Sequence, residues 1–189
     1  PDPFFLLDRR RRVVSANAAA RLLFDLERTT DQRMGGLTGR DLAGVYYNRG
    51  NARMRLGELD AAIADLSRAI EIEPDTEIFY YNRGSALLDL KRFADALGCF
   101  DRALQLRPDD AEAFNNRGNA LQGLMRYDEA VASYDRALTL RPDYPEAQSN
   151  RGGALQQLKR HDEALASFES AGGQPHAFGG AAMAARNRS

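Results

Sequence analysis

Between Ala113 and Pro142 the apolar positions fall into two runs. Ala113, Phe114, Ala120, Leu121 and Leu124 recur at helical spacing until Met125–Arg126 breaks the rhythm; Tyr127, Ala130, Val131, Tyr134, Ala137 and Leu138 then resume it. Pro142 closes the second run, because proline donates no N–H and pushes its predecessor out of the helical region. The pattern predicts two short helices joined by a tight turn.

The same pair is written four times. Asn-Arg-Gly stands at 48–50, 82–84, 116–118 and 150–152, each copy 34 residues after the last. With that Gly as the eighth residue of each unit, the units are 43–76, 77–110, 111–144 and 145–171, the last cut short where its pattern fails. The twentieth residues are Ala62, Ala96, Ala130 and Ala164, and the twenty-seventh are Ala69, Ala103, Ala137 and Ala171. The twenty-fourth are Leu66, Phe100, Tyr134 and Phe168. Pro74, Pro108 and Pro142 share one phase, which His176 breaks. Asp60, Asp128 and Asp162 are expected to cap the second helices, and Asp75, Asp109 and Asp143 the following first helices. A mid-helix Gly costs about 1 kcal/mol relative to Ala, so its recurrence needs a reason. The expectation is that paired helices touch where neither carries a large side chain. One such pair cannot bury its apolar face alone, so the pairs stack.

The 34-residue period, with Gly, Ala, an aromatic or Leu, Ala and Pro at those phases, resembles the tetratricopeptide repeat over residues 43–171. The resemblance implies an all-α solenoid, a right-handed superhelix of four helix-turn-helix units, with first helices lining a concave groove. It departs from that pattern at the seventh residue, usually Leu and here Arg49, Arg83, Arg117 and Arg151, and at Gln148. An arginine there is expected to lay its stem on apolar surface and its fork on a nearby carboxylate, Asp101 and Asp135 being candidates.

The resemblance also implies which residues face a ligand. The sixth residues form an unbroken row, Asn48, Asn82, Asn116 and Asn150; each carboxamide offers a donor and an acceptor to the main chain of an extended peptide. Such a row is similar to the asparagine ladder of O-linked N-acetylglucosamine transferases, whose bacterial relatives carry Asn-Arg-Gly repeats. Tyr47 and Tyr81 add apolar contacts, with Asn115 at the same phase, and Asn51, Ser85 and Asn119 extend the polar strip. The competing reading makes the asparagines hydrogen-bonding residues within the stack and the tyrosines packing residues. A clamp for acidic C-termini would need Lys and Arg in the groove, where this chain carries Glu112 and Glu146.

Composition narrows the chemistry. A net charge of −1 removes the electrostatic basis for binding nucleic acid. One cysteine and two histidines argue against a metal centre, and no apolar stretch approaches a membrane span. No phosphate loop, H-E-x-x-H or G-x-S-x-G motif occurs. Cys99 reads as a buried, inert thiol and His161 as a packing residue. The expectation is a cytoplasmic, non-catalytic scaffold without cofactor that binds a protein or peptide. The alternatives are a substrate-recruiting repeat region of a glycosyltransferase lacking its catalytic domain, or a structural module that self-associates weakly through its terminal units.

The ends leave the pattern. Residues 1–42 read as an irregular N-terminal cap, with short β-prone runs at Phe4–Leu7 and Val13–Val14, a helix from Ser15 to Arg28, and a stretch similar to the opening of a PAS sensor domain. Residues 172–189 read as a Gly/Ala-rich tail, and the last repeat helix is expected to stop short.

Overall fold

The computed structural model describes residues 6–7, 13–14 and 39–172. Eight helices run through the described repeats: α1 (Gly39–Arg55), α2 (Leu59–Ile72), α3 (Glu77–Asp89), α4 (Phe93–Leu106), α5 (Ala111–Gly123), α6 (Tyr127–Leu140), α7 (Pro145–Gln157) and α8 (His161–Ser170). Strands β1 (Leu6–Leu7) and β2 (Val13–Val14) pair antiparallel, Leu6 opposite Val14, at the two β-prone runs. The helix expected at 15–28, and the tail beyond residue 172, lie outside the described residues. The first helix begins at Gly39, ahead of the first repeat, and α8 is 10 residues long against 14 for α2, α4 and α6.

The chain divides into two compact units, residues 1–109 and 110–189. In the first, α1 packs on α2, α2 on α3 and α3 on α4; in the second, α5 packs on α6, α6 on α7 and α7 on α8. Of the repeated alanines, Ala62, Ala96, Ala130 and Ala164, with Ala69, Ala103 and Ala137, are buried, and Ala171 is partly exposed. In the first unit, Ala43, Tyr46, Ala69 and Phe79 form one cluster, to which Leu42, Ile70 and Ile78 add partly buried surface.

The glycines serve close packing, but not against small residues as expected. A Cβ on Gly84 would sit 2.9 Å from Phe100 Cε1, on Gly118 2.7 Å from Tyr134 Cζ, and on Gly152 2.7 Å from Phe168 Cε1. Each glycine of the Asn-Arg-Gly triplet is therefore the seat of the bulky twenty-fourth residue of its own repeat. In the first repeat that residue is Leu66, whose Cγ would lie 3.0 Å away.

Each intra-repeat turn is closed by a residue in the left-handed region: Gly57, Lys91, Met125 and Lys159 have φ of 78°, 58°, 60° and 61°. The next N–H then bonds five residues back, Arg92 to Leu87 O at 2.8 Å and Arg126 to Leu121 O at 2.9 Å, which satisfies carbonyls the helix end leaves open. The expected N-caps are displaced. The caps of the second helices lie two residues earlier, so Asp60, Asp128 and Asp162 fall inside the first turn, and Glu58, Arg126 and Arg160 occupy the cap without a side-chain bond. Among the first helices, Asp110 rather than Asp109 caps α5, accepting from the N–H groups of Glu112 and Ala113 at 2.9 Å.

Candidate functional site

The arginines of the triplet face inward along each helix pair. Arg49 forks onto Asp65, Nε to Oδ2 at 2.8 Å and Nη2 to Oδ1 at 2.6 Å, and Arg53 adds a third bond at 2.8 Å. Arg83 Nε lies 3.2 Å from Cys99 Sγ, Arg117 donates to Ser133 Oγ at 2.5 Å, and Arg151 to Ser167 Oγ at 2.5 Å. Asp65, Cys99, Ser133 and Ser167 share one phase, sixteen residues after each arginine, and all are buried. This row was not anticipated; its sequence signal is a short polar or sulfur side chain at one phase of every second helix. Arg151 also holds Asp135 at 2.6 Å, one of the two carboxylates expected to serve. Burial pushes the Cys99 thiol above its ordinary pKa, against a smaller opposing pull from Arg83. That fits an inert thiol. His161, expected to pack, is exposed at the first position of α8.

In the first unit the row expected to meet a ligand gathers on α1 and α3. Asn82 Nδ2 donates to Asn51 Oδ1 at 2.7 Å and approaches the Tyr47 hydroxyl at 3.4 Å. Tyr47 packs on Phe79, ring centroids 5.1 Å apart, and Tyr81 lies edge-on to Phe100 at 6.0 Å. Ser85 Oγ turns back to Tyr81 O at 3.1 Å, and Asn48 is exposed. Both tyrosines thus take the packing role that competed with ligand contact, while remaining partly exposed.

In the second unit the row spans α5 and α7. Asn150 Nδ2 donates to Asn115 Oδ1 at 3.0 Å, and Asn115 Nδ2 lies 3.4 Å from Asn116 Oδ1. Asn115 is only 5% exposed and serves as an inner bracket between its neighbours. Asn119 leaves the row: its Oδ1 is 2.8 Å from the hydroxyl of Tyr134, whose burial pushes the phenol well above its ordinary pKa. Asn82 and Asn150 therefore each spend an N–H on the preceding repeat, as the stacking reading requires. Their Oδ1 atoms accept nothing from the described residues.

Among the described residues there is no cluster of His, Cys, Asp and Glu able to hold a metal, and no helix is long and apolar enough to cross a membrane.

The helix pairs, the phased glycines and the thirty-four-residue register define a tandem helical repeat protein, and comparison with known families names the repeat. Two family models, both described as tetratricopeptide repeat, match residues 47–111 and 111–144, together just over half of the chain. The chain belongs to the tetratricopeptide-repeat family. No curated protein matches it. Among solved structures it is similar to MamA (residue 41 to the end) from Desulfovibrio magneticus RS-1, at 19% identity and a TM-score of 0.75, over 82% of this chain and 84% of that one. It is also similar to the first TPR domain of Spaghetti (RPAP3) bound to the HSP90 peptide SRMEEVD: 30% identity, TM-score 0.62, covering 64% and 95%. The Arabidopsis OM64 TPR domain matches at 26% identity and a TM-score of 0.61, covering 63% and 98%. The helical solenoid fold of the repeats is thereby shown. These matches concern the repeat itself and do not bear on the likeness to O-linked N-acetylglucosamine transferase repeats.

Proposed function

We propose that the chain is a non-catalytic interaction module that binds an extended peptide or protein segment along the first-helix faces of its repeats. The observation that carries this reading is the state of the Asn82 and Asn150 carboxamides. Each is held through its Nδ2 to the preceding repeat, and its carbonyl oxygen accepts no hydrogen bond from the described residues. A fixed acceptor loses little entropy when a peptide N–H arrives, so it binds better than a free one. Asn48, Tyr47, Asn51, Tyr81 and Ser85 would flank that acceptor in the first unit and Asn116 and Asn115 in the second, whereas Asn119 is turned to Tyr134.

The Spaghetti domain in its solved complex holds a peptide ending in Glu-Glu-Val-Asp. This chain is fitted to a different ligand. Glu112, on the first-helix face, is engaged by Arg141 at 3.1 Å, and the row itself is neutral amide. Recognition would run through the peptide main chain, with weak side-chain preference. Affinity selection against a displayed library of unstructured peptides tests it. Binders should lack an acidic C-terminal consensus, and Asn82→Ala/Asn116→Ala should weaken them about tenfold, equivalent to ~1.4 kcal/mol. Undiminished binding by that variant would remove the row from the site.

A further inference from the structure

The fourth residue of each repeat marks a second place of interest, independent of the asparagine row. In the first three repeats it is aromatic and lies beneath a guanidinium. Arg49 stands 5.3 Å over Tyr46, Arg83 and Arg102 stand 5.7 and 5.8 Å over Tyr80, and Arg136 stands 5.7 Å over Phe114. In the fourth repeat it is Gln148. The replacement keeps the polar contact of the ring it displaces. Tyr80 donates its hydroxyl to Pro74 O at 2.9 Å, and Gln148 Nε2 donates to the corresponding Pro142 O at 3.2 Å. What the amide does not supply is the ring's volume. An open surface hollow of about 220 Å³ lies there between α6, α7 and α8, lined by Leu138, Gln148, Arg151, Ala166, Ser167 and Ser170 beside Asp135.

Two features restrict what can enter. Ligand pockets for whole small molecules run to ~300–1,000 Å³, so this space suits a single side chain. Gln148 Oε1, shielded from solvent, has no hydrogen-bond partner among the described residues, which marks imperfect packing around the amide that stands where the other repeats carry a ring. Arg151, held by Asp135 and Ser167, has its guanidinium fixed at the hollow as Arg49 and Arg83 have theirs over a ring.

We propose that this hollow receives a tyrosine side chain of a partner protein, its ring against Arg151. The incoming residue supplies the ring that the fourth repeat lacks. A buried aromatic seated against an arginine is the kind of anchor that dominates protein interfaces.

The test is a titration of the full chain with N-acetyl-tyrosinamide, followed by backbone amide shifts, with N-acetyl-leucinamide as the comparison. The tyrosine probe should give saturable shifts at Arg151, Ala166 and Ser167, and the leucine probe none. Gln148→Phe, which restores a ring from within, should abolish those shifts. Ala166→Leu narrows the hollow from an exposed position, so it keeps the fold intact if Gln148→Phe does not, and it should weaken binding at least tenfold. Asn82→Ala/Asn116→Ala should bind the probe as the wild type does, separating this site from the peptide face. Equal response to both probes, no response to tyrosine up to its solubility, or shifts that survive Ala166→Leu would overturn the proposal.

Discussion

At the scale of single residues, Asp65 carries the heaviest structural duty. It is 3% exposed and holds both Arg49 and Arg53. Removing one member of a buried ionic cluster leaves charge without compensation and costs ~3–5 kcal/mol. Asp65→Ala should therefore lower the urea midpoint severely. Arg117→Ala, whose bond to Ser133 involves a neutral partner, should cost less. The glycines allow a second comparison. Ala is the better helix former by about 1 kcal/mol, yet Gly118→Ala drives a methyl into the Tyr134 ring and should destabilise by ~1–3 kcal/mol. Gly50→Ala meets Leu66, a flexible aliphatic, and should be the milder change when both are unfolded in urea. Comparable losses in the two variants would mean that the ring at residue 134 is not what demands glycine.

At the scale of elements, the turn residue in the left-handed region is the point of stored strain. A non-glycine there costs ~1–2 kcal/mol. Met125 has 74% of its surface exposed, so replacing it forfeits little packing. Met125→Gly should stabilise the chain by about 1 kcal/mol, read as a higher midpoint with an unchanged slope in urea. The first repeat already has glycine at this phase, Gly57. The helix pairs, their register and the turn at Met125–Arg126 were legible in the sequence because apolar periodicity and a fixed period report burial directly. Other features were not. The second helices are capped two residues earlier than Asp60 and Asp128 suggested, since an acid in the first turn favours the helix dipole as readily as it caps. The role of the arginines was legible only in outline, because their partners lie sixteen residues away on another helix. For the asparagines, a carboxamide's two ends can serve two masters. Residue type alone did not show that Asn82 and Asn150 give an N–H to the stack.

At the scale of the whole molecule, the net charge of −1 conceals many local pairs. At three second-helix starts the cap arginine reaches the acid three residues on: Arg92 to Asp95, Arg126 to Glu129 and Arg160 to Glu163, at 2.6–2.7 Å for the closest contacts of the last two. Hydrogen bonding to Arg126 holds the Glu129 carboxyl below its ordinary pKa, and Arg160 does the same for Glu163. A carboxylate whose pKa is lower in the folded state favours folding above the unfolded value, about 4.3, and that contribution vanishes as pH falls through the folded value. Because these pairs lie in solvent, each contributes little and salt screens it. The double variant Glu129→Gln/Glu163→Gln should thus be slightly less stable than the wild type at neutral pH and low salt. The two unfolding midpoints should converge both on acidification below about pH 4 and on addition of salt. A gap that persists at low pH would trace the loss to helix propensity or packing at the turns, and the repeated Arg-x-x-Glu would then be a solvated surface pattern without ionic consequence for folding.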